Sequence, residues 1–400
     1  MKNLNVGIIG LGCRGSSMLK DIVLQIPGVS VSWVCDLYED RVAEGAKAVE
    51  AAGQPTPKGT CDYREILADE AVEAVFIFAA WEAHIPLAVD AMKAKKATAL
   101  EVGGAYSVED CWRLVRTWEE TKTPFMLLEN CCYGERETMI CNMVRKGLFG
   151  EIVHCKGGYR HDLREEIAFG KENRHYRLRN YLNRNGENYP THELGPIAKV
   201  LNINRGNRMV SLVAVASKAA GMKEYIKKKK GADDPLQNAV FAQGDIVTTI
   251  IKCAGGETIQ LTLDTTLPRS YSRDFTVQGT LGMYSEESDS VYIDGESEHF
   301  WTMEPTWGSA KKYEEHLVPV WKDYKENGIV GGHGGIDWLE VNDFIDRLRR
   351  GEPMPIDVYD AAAWMCITPL TEDSIATGNA VSIPDFTCGA WTERDPFDVF

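Results

Sequence analysis

Three groups of residues in this 400-residue sequence have types and spacings suited to chemistry. The first is Gly10-Leu11-Gly12-Cys13-Arg14-Gly15, with Asp36 lying 21 residues beyond Gly15. Glycines so spaced allow a tight turn, close approach to a pyrophosphate and close packing of a helix on a strand. The helix start then stabilises the phosphate charge. A carboxylate at position 36 would bond ribose hydroxyls and repel a 2′-phosphate, so the expected ligand is NAD rather than NADP.

The second group is three polar clusters that each follow a short apolar run: Ala80-Trp81-Glu82-Ala83-His84, Glu101-Val102-Gly103-Gly104 and Glu129-Asn130. Ligands of open parallel sheets sit beyond the carboxyl ends of the strands, where all three are expected to contact the nicotinamide half. The third group is Asn188-Tyr189-Pro190-Thr191-His192-Glu193-Leu194-Gly195-Pro196, a proline-bracketed segment read as a rigid loop before a helix-like Ile197–Leu201. A histidine is the natural group to take a proton from a hydroxyl that is being oxidised. Tyr159-Arg160-His161, Tyr176-Arg177 and Tyr271 add phenols, imidazole and guanidinium suited to a polyhydroxylated substrate. His161, His175, His316 and His333 are scattered and no His-x-x-Glu spacing occurs, so no metal is expected.

These groups need elements to hold them. Val6–Ile9, Val29–Cys35, Ala74–Ala79, Ala97–Val102 and Phe125–Leu128 are apolar runs of strand length. They alternate with helical patterns over Ser16–Ile26, Ile85–Ala94 and Val108–Thr121. Such alternation predicts a Rossmann-type, doubly wound parallel sheet over residues 1–133. From Gly134 onward the pattern changes. A helix at Glu135–Lys146 precedes strand-like runs at Ile152–Tyr159, Met209–Ser217, Asp245–Cys253, Thr258–Asp264, Asp274–Gln278 and Met283–Ser285. Late helices are expected at Trp338–Arg349 and Ala361–Ala376. Residues 134–400 are therefore an α+β domain with a large, mostly antiparallel open sheet, its late helices able to pack back on the first domain.

Composition excludes other classes. Lys+Arg 44 against Asp+Glu 59 gives a net charge of -15, which disfavours nucleic acid and anionic membranes as partners. The one basic run, Lys227–Lys230, reads as a solvated turn. Eleven cysteines without a CxxC motif read as free thiols in a reducing compartment. With a strand already formed at Asn5–Gly10, the chain as given reads as cytoplasmic, unless an export leader has been removed.

The N-terminal half resembles the Gfo/Idh/MocA oxidoreductase family. Most members of that family have Glu-Lys-Pro where this chain has Glu101-Val102-Gly103, so their proton-carrying lysine is missing. That departure is similar to one offshoot, the NAD-dependent glycosidases typified by bacterial α-N-acetylgalactosaminidase. The resemblance runs through Trp81-x-x-His84, Glu101-Val102, Leu128-Glu129-Asn130-Cys131-Cys132-Tyr133-Gly134, His161-Asp162-Leu163-Arg164 and Tyr189-Pro190-Thr191-His192. It continues through Asn202-Ile203-Asn204-Arg205-Gly206 and Pro268–Arg273.

The resemblance implies NAD contacts at Arg14, Gly15, Asp36, Trp81, His84, Glu101, Val102 and Asn130, beside Gly10 and Gly12 of the loop. It implies substrate contacts at Tyr159, Arg177, Tyr189, Thr191, His192 and Tyr271. Glu193 stands where Gly is expected, and Gly103-Gly104 where Pro is common. The chemistry implied is oxidation of a glycoside at C3, loss of the C2 proton, elimination of the C1 aglycone, addition of water and re-reduction. His192 would relay the C3-hydroxyl proton, with Tyr159 or Tyr189 as the C2 base. Elimination leaves the anomeric configuration less decisive, so both α- and β-glycosides are admissible. The alternative is an NAD-dependent sugar oxidoreductase that makes 3-keto sugars. A homodimer or homotetramer is expected.

Overall fold

The computed structural model describes residues 3–231, 233–298 and 301–400. The chain divides into two compact units. One holds the residues up to Tyr133 with Tyr324–Ala362 and Val399; the other holds Gly134–Asp323, Ala363–Asp398 and Phe400.

The first unit contains a six-stranded sheet of β1 (Leu4–Ile9), β2 (Val29–Cys35), β3 (Lys58–Thr60), β4 (Ala74–Ile77), β5 (Ala97–Glu101) and β6 (Phe125–Leu128). All pairs are parallel, in the order β3-β2-β1-β4-β5-β6. β4, β5 and β6 are buried at every position, as strands covered on both faces must be. The order reverses between β1 and β4, and a crevice at such a point is where open sheets hold ligands.

Two differences from the sequence reading concern helices. The segment after β1 is helical throughout but irregular: Cys13–Ser17 is α, Met18–Ile22 a π-turn and Val23–Gln25 a 3₁₀ turn. The helix after β4 begins at Trp81, not Ile85, and contains Pro86. Pro86 is the sixth residue of this helix, so it leaves the Glu82 carbonyl without the usual i→i−4 N–H donor, a cost that the buried packing of the helix offsets.

Helix Ile336–Arg350 belongs to this unit, although it lies far along the chain. Its apolar stripe of Leu339, Val341, Phe344 and Ile345 is buried, with Phe344 edge-on to Phe76 of β4 at 5.5 Å. An edge-to-face aromatic pair contributes about 1 kcal/mol beyond its buried area.

The second unit is built on eight strands: β7 (Ile152–Arg160), β8 (Met209–Ala216), β9 (Ile246–Cys253), β10 (Thr258–Asp264), β11 (Thr276–Gly279), β12 (Gly282–Ser285), β13 (Ser290–Ile293) and β14 (Val381–Ser382). Their order is β13-β12-β11-β7-β10-β9-β8-β14. Every pair is antiparallel except β7 with β10, which run parallel from His154↔Thr258 to Arg160↔Asp264. The exception arises because the chain leaves β7 through a long helical connection and returns at β8. Helices Arg164–Ala168, Arg177–Asn183 and Thr191–Val200 lie in that connection. The three-strand meander β8-β9-β10 then brings β10 back alongside β7.

Lys227–Lys229 form the last turn of helix Gly221–Lys229 rather than a free turn, and Lys230 bonds Glu172 at 2.6 Å. Positive charge is favoured at a helix C-terminus. No helix among the described residues is long and apolar enough to cross a membrane.

Candidate functional site

In the first unit, the glycine loop closes the end of β1. Gly10 has φ +95°, and a Cβ there would stand 2.6 Å from the carbonyl of Phe78. A Cβ on Gly15 would collide with the carbonyl oxygen of Gly10, so the helix start can lie this close only with glycine. Gly12 differs: the nearest atom to its Cβ position is Arg41 Nη1 at 3.8 Å, leaving its backbone open to a ligand. Asp36, buried at the end of β2, accepts from Leu11 N at 2.7 Å and Tyr38 N at 3.1 Å, which ties the loop to the neighbouring strand. A cradle that side chains would fill, with a carboxylate beside it, fits a dinucleotide.

Arg14 organises the next layer. Its Nε donates to Glu101 Oε2 at 2.9 Å, and Nη1 and Nη2 grip both oxygens of Asp337 at 2.9 and 3.0 Å. Asn130 Nδ2 donates to Asp337 Oδ1 at 2.7 Å, and His333 Nδ1 lies 2.7 Å from Oδ2. Burial opposes the charge on Asp337, yet the hydrogen bonds from His333 and Arg14 hold it well below the usual carboxylate range. Glu340, one helical turn on, is fully buried with neither carboxyl oxygen bonded. Burial, and then the charges of Glu101 and Asp337, push its carboxyl well above the usual range.

Arg14, Glu101 and Asn130 are thus brought together, through a residue the sequence reading missed. The available signal was an acid at each of positions 337 and 340 on the buried stripe of an amphipathic helix. Trp81 opens its helix and lies across Gly103, where a Cβ would clash with the indole. His84 is buried with Nε2 2.9 Å from Ala79 O and Nδ1 unbonded, and burial lowers its pKa to about 4, so the ring is neutral. Val102 is buried, its N–H donating to Glu101 Oε1 at 3.1 Å.

In the second unit, Tyr159, Tyr189, His192 and Tyr271 come together. Tyr159 ends β7 beside Tyr189, with ring centroids 4.4 Å apart. His192 lies 5.6 Å and Tyr271 6.4 Å from the Tyr159 ring. Two phenol–imidazole pairs result: Tyr159 Oη with His161 Nδ1 at 3.1 Å, and Tyr189 Oη with His192 Nε2 at 3.3 Å. Burial and the Arg177 charge lower the His161 pKa, so that ring is neutral.

The expected rigid loop before residue 197 is instead the first turns of helix Thr191–Val200, with Pro190 as its cap and Pro196 inside it. His192 thereby gains a helical platform. Thr191 is fully buried and its hydroxyl unbonded. Tyr271 is half exposed, on a loop held to the end of β7 by the paired backbone bonds of Arg160 and Ser272.

Arg177 begins a helix, lies 5.5 Å over the Tyr189 ring and donates to Glu166 Oε1 at 2.6 Å. Burial works against its charge, but Glu166 and the phenols of Tyr176, Tyr159 and Tyr189 outweigh that and raise its pKa. Glu187 is also buried here. Its backbone is pinned by Thr371 Oγ1 at 2.9 Å and Thr368 Oγ1 at 2.5 Å, and burial pushes its carboxyl up to about 8. Neither Glu166 nor Glu187 was picked out from the sequence, where nothing distinguishes them from surface acids.

Comparison with known proteins completes the description. Residues 133–393 match the family described as glycosyl hydrolase 109, C-terminal domain, and residues 4–128 match the oxidoreductase family, NAD-binding Rossmann fold. A glycosyl hydrolase family 109 protein of Stenotrophomonas maltophilia (strain K279a) is 39% identical over 425 residues, covering 100% of this chain and 92% of that protein. An α-N-acetylgalactosaminidase of Tannerella forsythia is 39% identical over 418 residues, covering 98% of this chain and 88% of that one. Among solved structures, levoglucosan dehydrogenase in complex with NADH and L-sorbose superposes with a TM-score of 0.69 at 20% identity, covering 96% and 100% of the two chains. Myo-inositol 2-dehydrogenase from Lactobacillus plantarum gives 0.68 at 17%, with the same coverage. At these identities the two dehydrogenases are likenesses of fold.

Proposed function

The chain belongs to the glycosyl hydrolase 109 family and is an NAD-dependent glycosidase, and from that premise we propose how its residues act and on what. The substrate class proposed first is α-N-acetylgalactosaminides, the class named for the Tannerella relative, with other α- and β-glycosides following. The pair of phenol–imidazole contacts carries this reading, because it offers two separate proton relays in one cluster.

Gly10, Gly12, Gly15, Asp36, Arg14, Glu101 and Asn130 are the residues that would hold the cofactor, with Trp81, His84 and Val102 around them. Bound there, NAD supplies reversible oxidation at the sugar's C3. Tyr189 and His192 take the proton of the C3 hydroxyl and later return it. A carbonyl at C3 makes the C2 proton acidic, and Tyr159, backed by neutral His161, accepts it. The C1–O bond then breaks as C1=C2 forms, and the aglycone oxygen leaves with the proton that Tyr159 took from C2. Water then adds its hydroxyl to C1 and its other proton to C2 by way of Tyr159, which ends as it began. Arg177 and Tyr271 bond the remaining hydroxyls, and Thr191 offers its unbonded hydroxyl.

One face of the second sheet exposes Val213, Val215 and Ile250, and we assign it to pairing with a second copy in a dimer or tetramer. Eleven unbridged cysteines favour a reducing compartment.

The test is turnover of chromogenic glycosides in D2O, with aglycone and nicotinamide absorbance followed together. Aglycone release without net NADH, and deuterium at C2 of the freed sugar, are expected. NADH accumulating while the glycosidic bond stays intact would make the protein a dehydrogenase forming 3-keto sugars instead.

A further inference from the structure

Immediately before helix Ile336–Arg350 the chain reads Gly331-Gly332-His333-Gly334-Gly335. His333 alone among the five carries a side chain. A Cβ on Gly331 would stand 2.8 Å from Trp338 Cβ and 3.0 Å from Ile22 Cδ1, on the π-turn that follows the dinucleotide loop. The segment is therefore drawn in against the first unit's cofactor cradle. His333 itself has φ +48°. A left-handed backbone is uncommon for a residue with a Cβ and persists where the surrounding structure demands it.

The ring is held by one edge. Its Nδ1 lies 2.7 Å from Asp337 Oδ2 and 3.4 Å from Arg14 Nη1. The carboxylate can only accept, so Nδ1 carries the proton of that bond. Nε2 has no hydrogen-bond partner among the described residues, and the side chain keeps 64% of its surface in solvent. The charged groups that face the imidazole are Asp337 on the following helix, Arg14 from the glycine loop and Glu101 from the end of β5. The hydrogen bond to Asp337 raises the imidazole pKa against burial and the Arg14 charge, and Glu101 adds to the rise. An anchored imidazolium thus presents its outer N–H beside the glycine loop.

We propose that His333 is a further cofactor-binding residue, its Nε2 donating to the pyrophosphate of the dinucleotide. The proposal rests on the dinucleotide site described above, and it adds a ligand from a segment more than 300 residues beyond the glycine loop. The pyrophosphate is the part of NAD that suits an imidazolium. It carries the negative charge, and the open backbone at Gly12, two residues before Arg14, is suited to receive it. The oxidised nicotinamide ring is itself positive and would repel a second cation.

The experiment is equilibrium dialysis of the full chain against labelled NAD+ and labelled ADP-ribose, which keeps the pyrophosphate and lacks nicotinamide. Wild type, H333N and H333G are compared from about pH 6 to about pH 9. Asparagine and glycine both accept the left-handed backbone, so the segment keeps its course. At the acid end both variants should bind both ligands about tenfold more weakly, the effect of losing one hydrogen bond to a charged group. Wild-type affinity should fall as pH rises through the pKa of His333, because only the protonated ring has a donor at Nε2, and should approach that of the variants. The variants should lack that slope. A merely structural role would weaken binding equally at every pH.

Unaltered affinity in both variants, or a deficit that stays constant across the pH range, would overturn the proposal. Weakening confined to NAD+, with ADP-ribose unaffected, would place His333 at the nicotinamide and overturn it as well. A wild type that binds neither ligand would refute the dinucleotide site itself and this proposal with it.

Discussion

A Cβ placed on Gly157 would stand 2.8 Å from the Cβ of Glu193 and 3.1 Å from Ile197 Cδ1. Helix Thr191–Val200 therefore lies flat on β7 because position 157 has no side chain. Tyr159 is two residues further along the strand, on the same side as Gly157. The close packing is what sets its ring against those of Tyr189 and His192. The arrangement of Tyr159, Tyr189 and His192 thus depends on a contact that contains none of them.

Gly157→Ala must separate helix from strand by several tenths of an ångström. We expect a loss of about 1–3 kcal/mol, the usual cost of overpacking a close contact. Activity should fall further than stability alone explains, since the two phenol–imidazole pairs lie on opposite sides of the widened contact. Urea unfolding with parallel kinetics checks this; wild-type kcat in a destabilised variant would separate packing from geometry.

His192→Ala should leave cofactor content unchanged and reduce kcat by about 10²–10⁴, the range for removing a proton-transfer group. Nicotinamide released on denaturing the purified variant gives the first quantity, and aglycone release the second. Undiminished turnover would remove His192 from the relay.

Asp337→Asn leaves Arg14 with Glu101 as its remaining carboxylate partner in this network. A cost of about 2–4 kcal/mol is expected, below the range for a wholly buried pair because Arg14 is 28% exposed. The sign with pH is fixed by the depressed pKa of Asp337: its contribution is present above the unfolded value near 4 and lost as pH falls toward the folded one. Wild type and variant should therefore converge in acid. A gap that stays constant from about pH 7 to about pH 2 would contradict the linkage.

Glu187 gives the opposite slope. Its carboxyl is raised to about 8, so the folded state holds a proton that the unfolded chain releases near 4.5. Stability should decline as pH rises between those values and level off above the folded pKa. Glu187→Gln removes that slope and should be the more stable protein at neutral pH, by on the order of 1–3 kcal/mol. Superimposable pH profiles for the two proteins would mean that Glu187 is ionised in the native state.

Sequence spacing revealed what is local. The glycine loop, Asp36 and the strand-end clusters are legible because their chemistry lies within a few residues of a strand. Tyr189 and His192 are legible for a similar reason, being three residues apart on either side of the Pro190 cap. Prolines misdirected one boundary, since the segment bracketed by Pro190 and Pro196 was read as a loop where a helix had already begun. The parallel pairing of β7 with β10 could not be read, because it depends on where the chain re-enters the sheet. Asp337 was the larger omission. It meets Arg14 across 323 positions, a partnership that no local pattern encodes.

That same partnership has a consequence for biosynthesis. Arg14 leaves the ribosome before the 323 positions that separate it from Asp337 have been made. Until then the dinucleotide cradle has its glycine loop but lacks the carboxylate that fixes its arginine, and β4 lacks the Phe344 that covers Phe76. The nascent N-terminal segment is a half-finished receptor. A product that stops short of Asp337 should therefore hold NAD less tightly than the whole chain.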